Sequence, residues 1–204
     1  MIAVLNVHER PLPVPPETVG ELIDALGGEH DRLWPPEWPP VRFDGPLAVG
    51  VPGGHGLVSY VVSDYVPGRW VRFRFTGPRG FEGFHEFGVE RVDAGRSVLR
   101  HTLVVRPRGP LWPVWSLFFR PLHDAVFLDG LDRAERALTG RVARPRRWSP
   151  YVRLLRAASA KLAPRLDAGT HGSPERGIAR PFAARETGKA GKPAEFPDSK
   201  GKTP

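Results

Sequence analysis

The sequence predicts an α+β fold in which a curved antiparallel sheet wraps around one long C-terminal helix. Two observations carry that expectation. Residues 56–106 read as three or four antiparallel strands in immediate succession, separated by tight turns. Residues 111–139 follow as a long helix that is apolar on one side only, so it must lie on something. A bent sheet around such a helix tends to enclose an apolar hollow, which makes binding of a small molecule the first functional expectation.

The elements follow in order. Ile2, Val4, Leu5 and Val7 mark a first strand in 2–12, ending at Pro11. Pro15 and Pro16 open a short helix from Glu17 to Leu26, striped by Val19, Leu22, Ile23 and Leu26 and stopped by Gly27-Gly28. Four prolines in the eight residues 33–40 exclude helix and leave a stiff loop presenting Trp34 and Trp38. Residues 56–66 are strand-like but apolar on both faces, which leaves the directions of Ser59, Tyr60 and Tyr65 open. After the Pro67-Gly68 turn, Val71, Phe73 and Phe75 alternate with Trp70, Arg72 and Arg74. In 81–91, Phe81, His85, Phe87 and Val89 share a face opposite Glu82, Glu86 and Glu90.

A three-residue loop at 93–95 pairs 92 with 96, so Phe87 falls opposite His101 and His85 opposite Leu103. In the final helix, started by Pro110 and Pro113, Pro121 is a kink or a restart, because proline interrupts the hydrogen-bond ladder. From Leu122 onward one arc holds His123, Val126, Phe127, Gly130, Leu131, Ala134 and Leu138. Asp124, Asp129, Asp132, Arg133, Glu135 and Arg136 fill the remainder, which reads as a solvated face.

The chain has no cysteine, which excludes disulfide and thiolate chemistry and suits a reducing cytoplasm. Its N-terminus lacks a basic leader region, and no apolar run is long enough to span a bilayer, so a cytoplasmic location is expected. Net charge is unevenly placed. Residues 1–140 carry 15 arginines against 17 carboxylates, a net −2, while 141–204 carry 15 cations against 5, a net +10. The globular part is a poor phosphate-tracking surface. The organisation expected is a ligand-binding domain over 1–140, a basic linker over 141–165 with an amphipathic helical pattern, and a disordered tail over 166–204. Residues 146–163 either touch an anionic surface weakly, pack back on the domain, or stay solvated. Aromatic residues are too sparse beyond Lys161 for base stacking, so no specific nucleic-acid partner is expected.

The order strand, short helix, long meander and long C-terminal helix resembles the helix-grip fold of the START-like superfamily, often labelled SRPBCC, with the polyketide cyclase/dehydrase-like group nearest. The residues that carry it are the run from Val61 to Phe73, the His85-Glu86-Phe87 strand and Leu122-His123-Asp124-Ala125. The resemblance covers roughly 2–140. It implies a cavity for a lipid-, polyketide- or aromatic-like molecule, and in a minority of members an enzyme.

His85, His101 and His123 are the sharpest chemical feature, since an imidazole among Phe and Leu side chains must find a partner. They either project into the cavity, to orient a ligand carbonyl or move a proton, or are satisfied by backbone, water or one another. A metal site is not expected, because no compact ligand motif occurs, and no cofactor is implied. Trp34 and Trp38 either form a lid or plug the core, and the Trp112, Trp115, Phe118, Phe119 stripe reads as core. The pocket is expected to be lined by Phe73, His85, Phe87, His101, Leu103, His123 and Phe127, with Trp34 and Trp38 at its mouth. No catalytic residue is assigned. Two other functions remain: a cyclase/dehydratase-type enzyme using His85 or His101 as general acid/base, and an interaction protein acting through its basic tail.

Overall fold

In the computed structural model, which describes residues 3–109 and 111–167, seven strands form one antiparallel sheet. They are β1 (Val4–Leu12), β2 (Arg42–Phe43), β3 (Pro52–His55), β4 (Val58–Val66), β5 (Trp70–Gly77), β6 (Phe81–Arg91) and β7 (Ser97–Pro107), in the spatial order β1-β7-β6-β5-β4-β3-β2. Helix α1 (Pro16–Asp24) follows β1. After β7 come α2 (Leu111–Val114), one π-helical turn (Trp115–Phe119), α3 (Arg120–Thr139) and α4 (Pro150–Asp167). This is the helix-grip arrangement, with α3 lying on the sheet.

The β6–β7 register is the one expected, with Phe87 opposite His101 and His85 opposite Leu103. Period-two alternation then buries His85, Phe87, Leu99, His101, Leu103 and Val105 on one face. Gly83 bends β6 at a φ of 140°, where a Cβ would collide with the Val104 carbonyl oxygen. The short edge hairpin β2–β3 has no alternating apolar pattern, which is why it was not foreseen. In β4 the pairing slips between Val62 and Asp64, so a single alternation cannot describe this strand.

Strand β1 turns a largely polar side inward. Leu5 and Val7 are 67% and 43% exposed, and the alternate residues Asn6, His8 and Arg10 face inward. They meet carboxylates of α3 that the sequence assigns to solvent. Arg10 pairs with both Asp132 and Glu135, and Asn6 and His8 donate to Asp124. Asp132 and Glu135 are buried. Their other oxygens accept the backbone N–H groups of Arg146 and Ala143 at 2.8 and 3.0 Å. The two carboxylates therefore tie together β1, α3 and the segment leading to α4.

Pro121 sets the start of α3. It has no N–H to give the Leu117 carbonyl, and the ladder widens by one residue, with the Arg120 N–H reaching Trp115 O. The freed Leu117 carbonyl accepts the Tyr151 hydroxyl of α4 at 2.5 Å. Gly140 ends α3 in the left-handed conformation that its missing Cβ permits. Of the alternatives for 146–163, packing back is what the structure adopts: Val152 is buried against the main core. The tail expected over 166–204 lies outside the described residues beyond Asp167. No helix among the described residues is long and apolar enough to cross a membrane.

Removing Arg10 leaves two buried carboxylates without their cation. Arg10→Ala is expected to lower stability by about 3–5 kcal/mol, read as a reduced urea midpoint. A shift under about 1 kcal/mol, the range of surface pairs, would remove β1's polar face as the anchor of α3.

Candidate functional site

A cavity of about 650 Å³ lies between the sheet and the start of the C-terminal helix. Its walls come from five sources: His55 to Val58 at the β3–β4 turn; Phe75, Phe81, His85 and Leu103 on the sheet; Trp115 to Val126 on the helix; the tryptophan loop; and α4.

Asp31 shapes the tryptophan loop. It accepts the backbone N–H groups of Gly27, Leu33 and Trp34 at 2.7–2.8 Å. The loop is closed over the cavity by Asp129, whose Oδ2 accepts the indole N–H of both Trp38 and Trp148 at 2.7 Å. Burial raises the Asp129 pKa above its ordinary value, and the two indole donors act against that rise. The rings of Trp38 and Trp148 meet edge-to-face at 5.9 Å, and the Arg156 guanidinium sits over both, 4.5 and 3.7 Å from their centroids. Arg156 also donates to the Glu37 carbonyl. Trp34 anchors through its N–H to the Pro39 carbonyl at 2.9 Å.

Of the residues expected to line the pocket, His85, Leu103, His123, Phe127, Trp34 and Trp38 do line it. Phe73, Phe87 and His101 do not. Phe127 stacks on His101 at 3.5 Å between centroids and also meets Phe87 at 5.7 Å, so α3 closes on the sheet there. Phe73 is covered by Phe43 and Tyr60. Of the stripe read as core, Trp115 is buried in a second core cluster with Phe119 packed against it, both of them and Phe118 also border the cavity, and Trp112 is exposed. Sequence reasoning also missed His55, Asp129 and Arg156. Their roles depend on which loops meet over the mouth, and no local pattern encodes that.

Five imidazoles run through the apolar interior in a continuous chain. Centroid separations are 6.1 Å for His8–His123, 5.2 Å for His123–His101, 5.5 Å for His101–His85 and 6.2 Å for His85–His55. His101 Nε2 and His85 Nδ1 share a hydrogen bond at 3.3 Å. His55 Nδ1 and the Tyr60 hydroxyl are also 3.3 Å apart. Burial, with the neighbouring imidazoles, holds His85 and His101 well below the ordinary histidine range and lowers His55 to about 3. All three are therefore neutral at pH 7. Burial opposes the charge of Asp124, but the imidazoles of His123 and His8 and the Asn6 amide outweigh it and keep its carboxyl below the usual range. Four polar groups at or beside the cavity wall keep nitrogens that are buried and unpartnered among the described residues: His85 Nε2, His101 Nδ1, both nitrogens of His123 and Trp115 Nε1.

No family model matches the chain, and no curated protein matches it in sequence. Solved structures are similar in fold. A Thermobifida fusca protein aligns with a TM-score of 0.55 at 14% identity, over 71% of this chain and 99% of its own. CalU16 from Micromonospora echinospora aligns at 0.51 and 12% identity, over 80% of this chain and 88% of its own. A Thalictrum norcoclaurine synthase point mutant, in complex with a transition-state analogue, aligns at 0.52 and 10% identity, over 64% of this chain and 92% of its own. The chain thus has the helix-grip fold expected from its sequence.

The neutral imidazoles make stability depend on pH. Between pH 6.5 and about 3 the unfolded chain protonates His55 and the folded chain does not, and His85, held well below 6.5 by burial, acts in the same direction. Stability is therefore full above pH 6.5 and falls on acidification, by about 1.4 kcal/mol per pH unit for each group once well below 6.5. Urea midpoints measured from pH 7 to 5 should drop steeply, and His85→Phe should flatten that slope. A flat profile would mean the histidines are accessible to protons in the fold.

Proposed function

We propose that the chain binds a small, largely apolar molecule of lipid, polyketide or aromatic type in the cavity between sheet and helix. The cavity itself carries this reading. Its 650 Å³ falls within the roughly 300–1,000 Å³ typical of ligand sites. Aromatic and aliphatic side chains line it without collapsing together. The few polar atoms on its wall narrow the ligand. The Trp115 indole N–H can only donate and His85 Nε2 is unpartnered, so an acceptor oxygen such as a carbonyl suits both. Trp34, Trp38 and α4 act as the cover over the mouth. The absence of cysteine fits a reducing cytoplasm as the setting.

A cyclase/dehydratase-type reaction is the second reading, favoured by the placement of His85 on the wall with His101 behind it. A helix-grip protein can be an enzyme, as norcoclaurine synthase is. Against this, a general base works best with a pKa near the operating pH, and burial holds His85 far below it. Binding is the stronger reading.

Native mass spectrometry of freshly purified protein should reveal a bound organic molecule at one-to-one stoichiometry. Val126→Trp, which fills the cavity from α3, should weaken binding of an apolar naphthalene-type fluorescent probe at least tenfold while costing about 1–3 kcal/mol of stability. Unchanged probe affinity in that variant would place the site elsewhere. Trp115→Phe should reduce affinity for a carbonyl-bearing ligand by about 1–2 kcal/mol, the worth of one hydrogen bond, and leave affinity for a pure hydrocarbon unchanged. Truncation after Gly140 should also weaken binding, because it removes Trp148, Arg153 and Arg156 from the wall.

A further inference from the structure

His8 on β1 and the adjacent pair His123 and Asp124 on α3 bring three ligand-type atoms together on the side of α3 that faces β1. His8 Nε2 lies 3.2 Å and His123 Nδ1 3.6 Å from the same carboxylate oxygen, Asp124 Oδ1, and the three residues each offer a ligand atom within 4.8 Å of the others. A plain hydrogen-bond reading accounts for only part of this. It satisfies His8 and Asn6, which both bond Asp124 Oδ1. It leaves His123 unexplained: 3.6 Å is beyond hydrogen-bond reach, and both of its ring nitrogens are buried without a partner among the described residues. Donor atoms about 3.3 Å apart are what a tetrahedral ion with bonds of roughly 2.0–2.1 Å requires, and the two measured separations bracket that spacing.

We propose that His8, His123 and Asp124 form a binding site for a divalent transition-metal ion of the zinc type, distinct from the organic-ligand cavity though next to it. Two imidazoles and one carboxylate are a donor set for borderline ions rather than for calcium or magnesium, which favour oxygen throughout. The Asn6 amide, 2.7 Å from Asp124 Oδ1, holds the carboxylate in place as an outer partner. Arg120 reaches only the other oxygen, Oδ2, at 3.9 Å, from a side chain more than half exposed, so no cation competes at Oδ1, where His8 would exchange its hydrogen bond for a bond to the ion and Asn6 would keep donating. Three protein ligands leave a fourth position open. The ion would join β1 to α3 at the same interface that Arg10 secures with Asp132 and Glu135. Because the ring of His123 also borders the cavity, the ion would lie one side chain from the organic ligand.

Cobalt(II) is the direct probe, since its visible absorption reports coordination by nitrogen and oxygen in a chain that has no cysteine. Titration of the full-length protein should give a saturable spectrum at one equivalent, displaced by zinc, and zinc should raise the thermal unfolding midpoint. His8→Gln, His123→Asn and Asp124→Asn should each weaken cobalt binding by at least about tenfold, with circular dichroism unchanged in at least Asp124→Asn, the most conservative of the three. His30→Gln, at an exposed site remote from the cluster, should bind as the parent does. Absence of a one-equivalent spectrum, or binding that survives all three ligand variants, would overturn the site. Binding of the naphthalene-type probe should persist in Asp124→Asn, so failure of the metal site and failure of the cavity are read separately.

Discussion

Two carboxylates buried on one helix are costly unless a cation and further donors meet them, and at Asp132 and Glu135 the cation is Arg10. That requirement determines where α3 sits. Arg10 belongs to β1, the outermost strand on one side of the sheet, so the helix is held there by polar contacts that lose their value if it moves. Asn6 and His8 extend the same grip about two turns toward the start of the helix, to Asp124. With α3 tied to that side, Phe127 closes on Phe87 and His101 of β6 and β7, and a hollow stays open between the sheet and the Leu122 and Val126 side chains.

The segment after Gly140 completes the site instead of leading away from it. Pro121 withholds an N–H, the Leu117 carbonyl is left free, and Tyr151 of α4 takes it. Asp129 gathers the indoles of Trp38 and Trp148 on one oxygen, and Arg156 covers both rings. A stiff proline loop and a basic helix, far apart in sequence, thereby become two halves of one cover. The positive charge of α4 has a local use here, stacking on aromatic faces at the cavity mouth.

The sheet was legible in the sequence because alternation over β5, β6 and β7 is unbroken, and a three-residue loop leaves one register for β6 and β7. The long helix was legible from its one apolar arc. His85 and His123 were legible as cavity residues, since polar rings on apolar faces are conspicuous. The β1 grip was not. Leu5 and Val7 face outward while Asn6, His8 and Arg10 between Val4 and Leu12 face inward, and a largely polar inward face inverts the rule that a strand buries its hydrophobic side. Asp132 and Glu135 looked like ordinary solvent-facing charges for the same reason, because only the fold supplies Arg10 to them. Phe73, Phe87 and His101 were placed on the correct face, but Phe43 and Tyr60 cover the first and Phe127 touches the sheet at the other two. Period-two reasoning gives the face and not the distance to the covering helix.

A polar grip on α3 and a stable apolar hollow between the sheet and the start of that helix belong together. Xenon is drawn to apolar cavities without needing any specific contact, so diffraction from crystals pressurised with xenon tests this most directly. Xenon density bordered by Phe75, Phe119, Leu122 and Val126 is the predicted result. A crystal in which those side chains touch one another and exclude the gas would contradict it.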